Sequence, residues 1–358
     1  MGVASPTVPG VPDEVKSAQI AGLRYAIPKG AGIRRRRAGN GFAYIGPDDQ
    51  PVTDEAVLER IKSLVIPPGW SSVWISPHAN AHIQAVGWDD RGRKQYRYHP
   101  QYRHVRDLVK FDRMKAFGKA LTRIRKTVTR DLARQGMPKR KILAAIVRLL
   151  ETTYIRVGNE EYVEQNNSFG LTTLRNQHVQ VLGDTLKFRF KGKSHQQHEI
   201  VMHDKRLARI IKKCREIPGS ALFQYLDEDG NPQTIESGDV NEYLRAISGG
   251  DFTAKDFRTW GGTCLAIEYL LEKCLDNGDP ETKAVLVDVV KEVAGKLGNK
   301  PATCKKYYIH PAVMECYSAG NLRRLAEQFQ GKPRSELYEQ IVIALLNTQK
   351  KIKVKKAA

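Results

Sequence analysis

The period of the hydrophobic pattern changes near residue 110, and that change divides the chain. From Met114 onward apolar side chains recur every three or four residues (Met114, Phe117, Leu121, Ile124, Val128, Leu132), the spacing that lines one face of an α-helix. The Gly136-Met137-Pro138 break is expected to end that helix. Upstream, between residues 21 and 105, apolar residues come in short aromatic and β-branched runs: FAYIG, SSVWIS, AHIQAVGW and KQYRYH. GPDDQP, IPPGW and DDRGR punctuate them, which is strand and turn chemistry. One helix, TDEAVLERIKSL, interrupts the strands. The expected fold is α+β: a small N-terminal mixed β-sheet domain over 21–105, then a larger, mainly α-helical domain over 106–349 containing a β-hairpin or three-stranded sheet. Residues 1–20 read as a flexible tail and 350–358 as a basic tail.

Within the second domain a helix is expected to open at Pro138, a favoured first-turn residue, and to run to a cap at Gly158 with Arg156 in its final turn. FGLTTL, HVQVL and TLKFRF read as strands, KGKSHQQ as a tip carrying Lys193, and HEIVM as the returning strand. Thr253-Ala254-Lys255-Asp256 matches a capping box and places Lys255 and Arg258 one turn apart on one helix face. The last helices are expected over about 280–297, 301–318 and 335–350, with Tyr307 and Tyr308 inside the middle one.

The charge balance narrows the function. Lys and Arg number 59 against 39 Asp and Glu, a net charge of +20, which favours a polyanionic partner. Residues 101–150 alone hold 15 Lys and Arg against 3 Asp. No apolar stretch approaches the roughly 20 residues that span a bilayer, and MGVASPTVPGVP has neither the basic start nor the apolar block of a cleaved signal. An intracellular, soluble protein is expected. Cys214, Cys264, Cys274, Cys304 and Cys316 are odd in number and widely spaced, so they read as reduced thiols, without zinc site or disulfide framework. No acidic cluster of the D-x-D kind that would hold two magnesium ions is read in the chain, so cleavage of nucleic acid is expected to need no metal. That chemistry requires a nucleophile, cations for the non-bridging oxygens and an acid for the departing alkoxide. A phenol, with an unperturbed pKa near 10, needs cationic neighbours to attack. Arginine is the better phosphate clamp and lysine the better acid.

Four segments carry a resemblance: RVGN at 156–159, FKGKS at 190–194, AKDFRTWGGT at 254–263 and LGNKPATCKKYYIHP at 297–311. In this order and spacing, behind a small β domain, they resemble the type IB DNA topoisomerases, specifically the compact poxvirus-like and bacterial branch. The resemblance covers about residues 22–320. It implies that Tyr308 is the nucleophile, that Arg156 and Arg258 clamp the scissile phosphate, and that Lys193 protonates the leaving 5′-oxygen. It further implies Lys255 as a supporting lysine. Asn299 stands where the poxvirus enzymes carry a histidine that bonds a non-bridging oxygen; an amide still donates there but brings no charge. KQYRYHP resembles the segment that reads DNA in the major groove, with Gln95, Tyr96 and Tyr98 at the contact positions. The implied protein is a cytoplasmic, nucleoid-associated monomer, without cofactor, that clamps double-stranded DNA between two domains. It would relax supercoils of either sign through a 3′-phosphotyrosyl intermediate, without ATP.

Each residue also has an ordinary reading: Tyr308 a half-packed helix residue, Arg156 a partner of a helix dipole, Lys193 a solvated turn lysine, Lys255 and Arg258 a surface pair. His198 and His310 read as structural or solvent-facing. Tyr96 and Tyr98 remain open between core anchors and DNA readers. Two rival functions compete. A tyrosine recombinase uses similar groups, but its second arginine follows a histidine in HxxR, where this chain has Lys255. A non-catalytic basic DNA-binding protein would carry the same charge.

Overall fold

The computed structural model describes residues 13–276 and 283–348, apart from positions 29, 40, 91, 93, 110 and 112. The expected basic tail and the first twelve residues of the expected N-terminal tail lie outside that set. The chain divides into two compact units, Met1–Asp112 and Arg113–Ala358.

The N-terminal unit contains α1 (Asp13–Ile20), β1 (Ile33–Ala38), β2 (Gly41–Ile45), α2 (Glu55–Ser63), β3 (Ser71–Ile75), β4 (Ile83–Trp88), β5 (Lys94–Tyr98) and α3 (Pro100–Val109). Its five strands lie in the order β2-β1-β3-β4-β5, antiparallel at every pairing. Residues 13–20, expected as loose tail, form a helix whose Ala18 is buried against Leu23 and Tyr102. Ile33, Ile61, Val73, Ile75 and Ala85 close the main core beneath α2, which Asp54 caps by accepting from Ala56 N at 2.8 Å. IRRRR was not anticipated as a strand. Its backbone pairs with β2 and β3, and Arg35 holds the IPPGW turn by donating to Pro67 O at 3.0 Å and Trp70 O at 2.6 Å.

The C-terminal unit contains α4 (Met114–Leu132), α5 (Lys139–Thr153), α6 (Glu160–Asn166), β6 (Val179–Leu182), β7 (Thr185–Lys191), β8 (Gln197–His203), α7 (Lys205–Glu216), β9 (Gln224–Leu226) and β10 (Pro232–Thr234). It continues with α8 (Ser237–Ser248), α9 (Ala254–Asp276), α10 (Lys283–Leu297), α11 (Pro301–Tyr307), α12 (Pro311–Ser318), α13 (Leu322–Glu327) and α14 (Arg334–Thr348). α9 is the hub, packing on α4, α5, α8, α10, α12, α13 and α14. Phe117 of α4 meets Phe252, Phe257 and Trp260 edge-on with centroids 5.4, 5.0 and 6.1 Å apart, the favoured geometry for ring quadrupoles. The α4 face anticipated from its period is the buried one.

Three local expectations changed. α5 stops at Thr153, not Gly158, because Tyr154 turns into the left-handed region (φ 56°); Arg156 therefore lies beyond the helix. FGLTTL is no strand: its backbone pairs with residues 156–157 and ends in a short 3₁₀ turn at Leu171–Thr173. The helix expected over 301–318 breaks between α11 and α12, because Pro311 lacks an N–H and disfavours helical backbone at His310. The D-x-D spacing within LDEDG, passed over in the sequence, builds a turn: Asp227 accepts from Asp229 N at 3.1 Å, Asn231 N at 2.8 Å and Gln233 Nε2 at 2.9 Å. The described thiols Cys214, Cys264, Cys304 and Cys316 are unpaired cysteines; burial pushes Cys214 up to about 12 and Cys304 up to about 11.

Asp131 of α4 is fully buried and accepts from Arg134 Nε at 2.9 Å, Arg140 Nε at 2.8 Å and the Tyr243 hydroxyl at 2.9 Å. Burial pushes its carboxyl up, but these bonds outweigh it and hold the pKa below the ordinary value. Asp131→Ala is expected to destabilise the unit by about 1–3 kcal/mol, since it leaves the buried Tyr243 hydroxyl unpaired, while Arg134 and Arg140, 46% and 44% exposed, rehydrate. Urea denaturation checks this, with Asp131→Asn expected to cost less.

Candidate active site

Arg156 is anchored by the segment that was expected to be a strand. Leu171 N donates to Arg156 O at 2.8 Å and Thr172 N to Val157 O at 2.7 Å. Gly158 (φ +106°) and Gly170 permit this crossing, because a Cβ on Gly170 would stand 2.5 Å from Gly158 Cα. The Arg156 guanidinium then reaches the loop after α10, donating to Gly298 O at 3.2 Å and to Asn299 Oδ1.

That loop is a helix stop of fixed geometry. Gly298 takes φ +60°, Gly298 N donates to Gly295 O at 3.1 Å and Asn299 N to Ala294 O at 2.8 Å, which is the Schellman pattern. Two residues later Pro301 opens α11. Asn299 is thus held by its backbone from one side and by Arg156 from the other.

Arg258, only 3% exposed, emerges from the second turn of α9. Its guanidinium donates to Tyr154 O and to Leu297 O at 2.7 Å, joining the C-terminal ends of α5 and α10, where a cation is favoured. Lys255, one turn earlier, is exposed, so the two are not an equivalent surface pair. The Thr253–Asp256 cap forms as expected, Asp256 Oδ2 accepting from Thr253 N at 2.8 Å.

Tyr308 sits at the helix break, not within a helix. Its backbone N donates to Cys304 O at 2.9 Å, and its φ of −128° leaves the α11 spiral. Thr263, fully buried on α9, lies 3.2 Å from Tyr308 O through Oγ1 and accepts from His310 N at 3.1 Å. The paired glycines of TWGGT explain themselves here. A Cβ on Gly261 would meet the Tyr154 ring at 2.1 Å, and one on Gly262 would meet Tyr308 O at 2.8 Å. The Arg258 guanidinium carbon stands 5.0 Å from the Tyr308 ring centroid. Tyr307, 40% exposed, points elsewhere, with the Lys306 amine 5.3 Å from its ring centroid. His310 is structural, capping α12 by accepting from Ala312 N at 3.1 Å.

The β7–β8 hairpin carries Lys193 at its exposed tip, where Ser194 and His195 both take positive φ. Behind the tip stands His198, which the sequence left between a structural and a solvent-facing reading. It stacks on Phe190, within reach of the charges of Arg156 and Arg258. Burial and then those two cations push its imidazole down to about 4. Burial, then Arg258, pushes Arg156 down to about 10 against the pull of Tyr308, so it stays charged at neutral pH. Burial also lowers Arg258, and the Tyr308 phenol draws it back up. Arg258 Nε and Asn299 Nδ2 are two of the five buried side-chain nitrogens without a hydrogen-bond partner among the described residues, the others being Trp74 Nε1, Arg97 Nε and Arg148 Nε. Such donors cost about 1–3 kcal/mol each when left unpaired and suit an anion that arrives later.

A sequence profile of the eukaryotic DNA topoisomerase I catalytic core matches residues 99–335, and one of the bacterial DNA topoisomerase IB N-terminal domain matches residues 41–89. DNA topoisomerase 1B of Acanthamoeba polyphaga mimivirus is 32% identical over 293 residues, covering 80% of this chain and 87% of the viral protein. The chain belongs to the type IB DNA topoisomerases. DNA topoisomerase 1B of vaccinia virus, strain Copenhagen, is 25% identical over 287 residues, covering 77% of this topoisomerase and 85% of its own length. A fungal DNA topoisomerase 1, from Mycosarcoma maydis, aligns over 274 residues, 70% of this chain but 25% of its own.

The structure of this type IB enzyme gathers Arg156, Arg258, Asn299 and Tyr308 from four separate segments. Gln95, Tyr96 and Tyr98 lie in the N-terminal unit. Tyr96 and Tyr98 share a face and stack at 5.8 Å, Tyr96 remaining 38% exposed, while Gln95 Nε2 donates to Asp89 Oδ2 at 2.9 Å. No helix among the described residues is long and apolar enough to cross a membrane.

Proposed function

We propose that this enzyme relaxes supercoils of both signs by transient cleavage of one DNA strand at Tyr308. The phenol oxygen attacks the scissile phosphorus and the bond to the 5′-oxygen breaks. The phenol proton passes to solvent, and Lys193 gives its ammonium proton to the leaving oxygen. The 3′-phosphotyrosyl ester conserves the energy of the broken bond, so the free 5′-hydroxyl reseals the strand without ATP after rotation. The observation that carries the reading is the pair of unpartnered donors, Arg258 Nε and Asn299 Nδ2, beside a phenol against the Arg258 guanidinium. They suit the charge that builds on the non-bridging oxygens, with Arg156 as second clamp and Lys255 in support. Tyr96 and Gln95 suit base contact in the major groove. The enzyme acts as a monomer in the cytoplasm, on the nucleoid, and needs no metal.

A supercoiled plasmid without ATP or magnesium tests this. Relaxation supports the topoisomerase, sequence-specific strand exchange a recombinase, and retardation alone a coating protein. Lys193→Ala is expected to slow cleavage by about 10²- to 10⁴-fold and to recover on a substrate whose 5′-bridging atom is sulfur. A thiolate leaves without a proton, so absence of recovery removes the acid role.

A further inference from the structure

His198 lies opposite Phe190 across the β7–β8 ladder, its ring parallel to the phenyl at 4.8 Å and 8°. Two glycines from different segments enclose it. A Cβ on Gly192 would stand 2.7 Å from His198 Cδ2, and a Cβ on Gly298 would stand 2.3 Å from Cε1. Gly192 immediately precedes Lys193, and Gly298 immediately precedes Asn299. The imidazole is therefore a spacer between the backbones that carry the proposed acid and the proposed phosphate donor.

The two sides of this contact are built differently. The Gly298 side is set by its own helix stop, independently of the histidine. The hairpin side has a tip with two residues at positive φ, closed by Gly192 N donating to Gln196 O at 2.8 Å. We propose that His198 is a positioning residue that references the Lys193 hairpin to the fixed Gly298–Asn299 loop, so that the ammonium meets the leaving oxygen. The inference rests on Lys193 being the acid. Neutrality suits the role, because an imidazolium would be repelled by the charges of Arg156 and Arg258.

Single-turnover cleavage by the full chain tests this on matched duplexes with a 5′-bridging oxygen or sulfur at the scissile phosphate. His198→Ala is expected to lose about 10- to 100-fold on the oxygen substrate, the scale of an ångström misplacement, and under about 3-fold on the sulfur substrate. His198→Phe, which keeps a flat ring, is expected to retain most of the activity. Gly192→Ala provides a route that leaves the histidine in place: the backbone there (φ −95°, ψ −169°) accepts alanine, but the methyl displaces the ring. It is expected to slow the oxygen substrate in the wild type and to add nothing in His198→Ala, the coupling of groups in contact. Equal losses on both substrates, additive effects of the two substitutions, or a phenylalanine variant as slow as alanine would each overturn the inference. Lys193→Ala is run alongside. If sulfur restores Lys193→Ala but not His198→Ala, only the positioning role fails; if it restores neither, the acid assignment fails and this inference with it.

Discussion

Tyr308→Phe is expected to bind DNA as tightly as the wild type and to form no covalent adduct, with relaxation reduced by at least about 10⁴-fold, the scale of removing a nucleophile. The substitution is unusually clean in this setting. The backbone cap through Cys304 O and the contact with Thr263 do not involve the phenol oxygen, and a phenyl ring keeps its place against the Arg258 guanidinium. The attacking oxygen is lost, and with it the phenol's interaction with Arg258. Denaturing gels of enzyme mixed with end-labelled duplex read the adduct, and a mobility-shift titration reads binding. Tyr307→Phe is the control, expected to stay near the wild type because its ring is turned toward Lys306. An adduct from Tyr308→Phe, or its loss in Tyr307→Phe, refutes the assignment.

Arg258→Ala is expected to reduce cleavage by about 10³-fold, and Arg258→Lys to recover little of it. One preorganised donor aimed at developing charge is worth about 10²- to 10³-fold, and Arg258 contributes both a buried charge and an unpaired N–H. Lysine keeps the charge but not the planar fork. A single ammonium cannot hold Tyr154 O and Leu297 O in their present directions and also present a third donor to a phosphate. The carbonyls also matter for folding: leaving them unpaired costs about 1–3 kcal/mol, so the alanine variant is expected to melt lower. Single-turnover cleavage and thermal denaturation separate the contributions. If the lysine variant cleaves at the wild-type rate, the clamp reading of Arg258 fails.

Much of this enzyme was legible in the chain because its pattern is repetitive where the fold is repetitive. The α4 stripe from Met114 to Leu132, the Thr253 helix start, and the HVQVL and TLKFRF strands follow from period and capping alone. IRRRR escaped because four consecutive arginines carry no alternation; the strand exists through pairing on both edges and Arg35's grip on a distant turn. The end of α5 escaped because the residue that leaves the helix is a tyrosine, whose left-handed backbone is paid for by contacts from Arg258 and Gly261. The surroundings of His198 escaped for a related reason. Nothing around HEIVM signals that its histidine fits between glycines 106 residues apart, Gly192 and Gly298.

By itself the sequence determined the family, the change from a β-sheet domain to a mainly helical one, and the types of group available for phosphate chemistry, because local propensity and motif spacing are properties of neighbouring residues. Only the tertiary structure decided which groups meet. The meeting of Tyr308 with Arg258, and of Arg156 with Asn299, depends on carbonyls at two helix ends, a proline break and several glycine close approaches. Those contacts join residues far apart in the chain, and their energies exist only once the chain has folded.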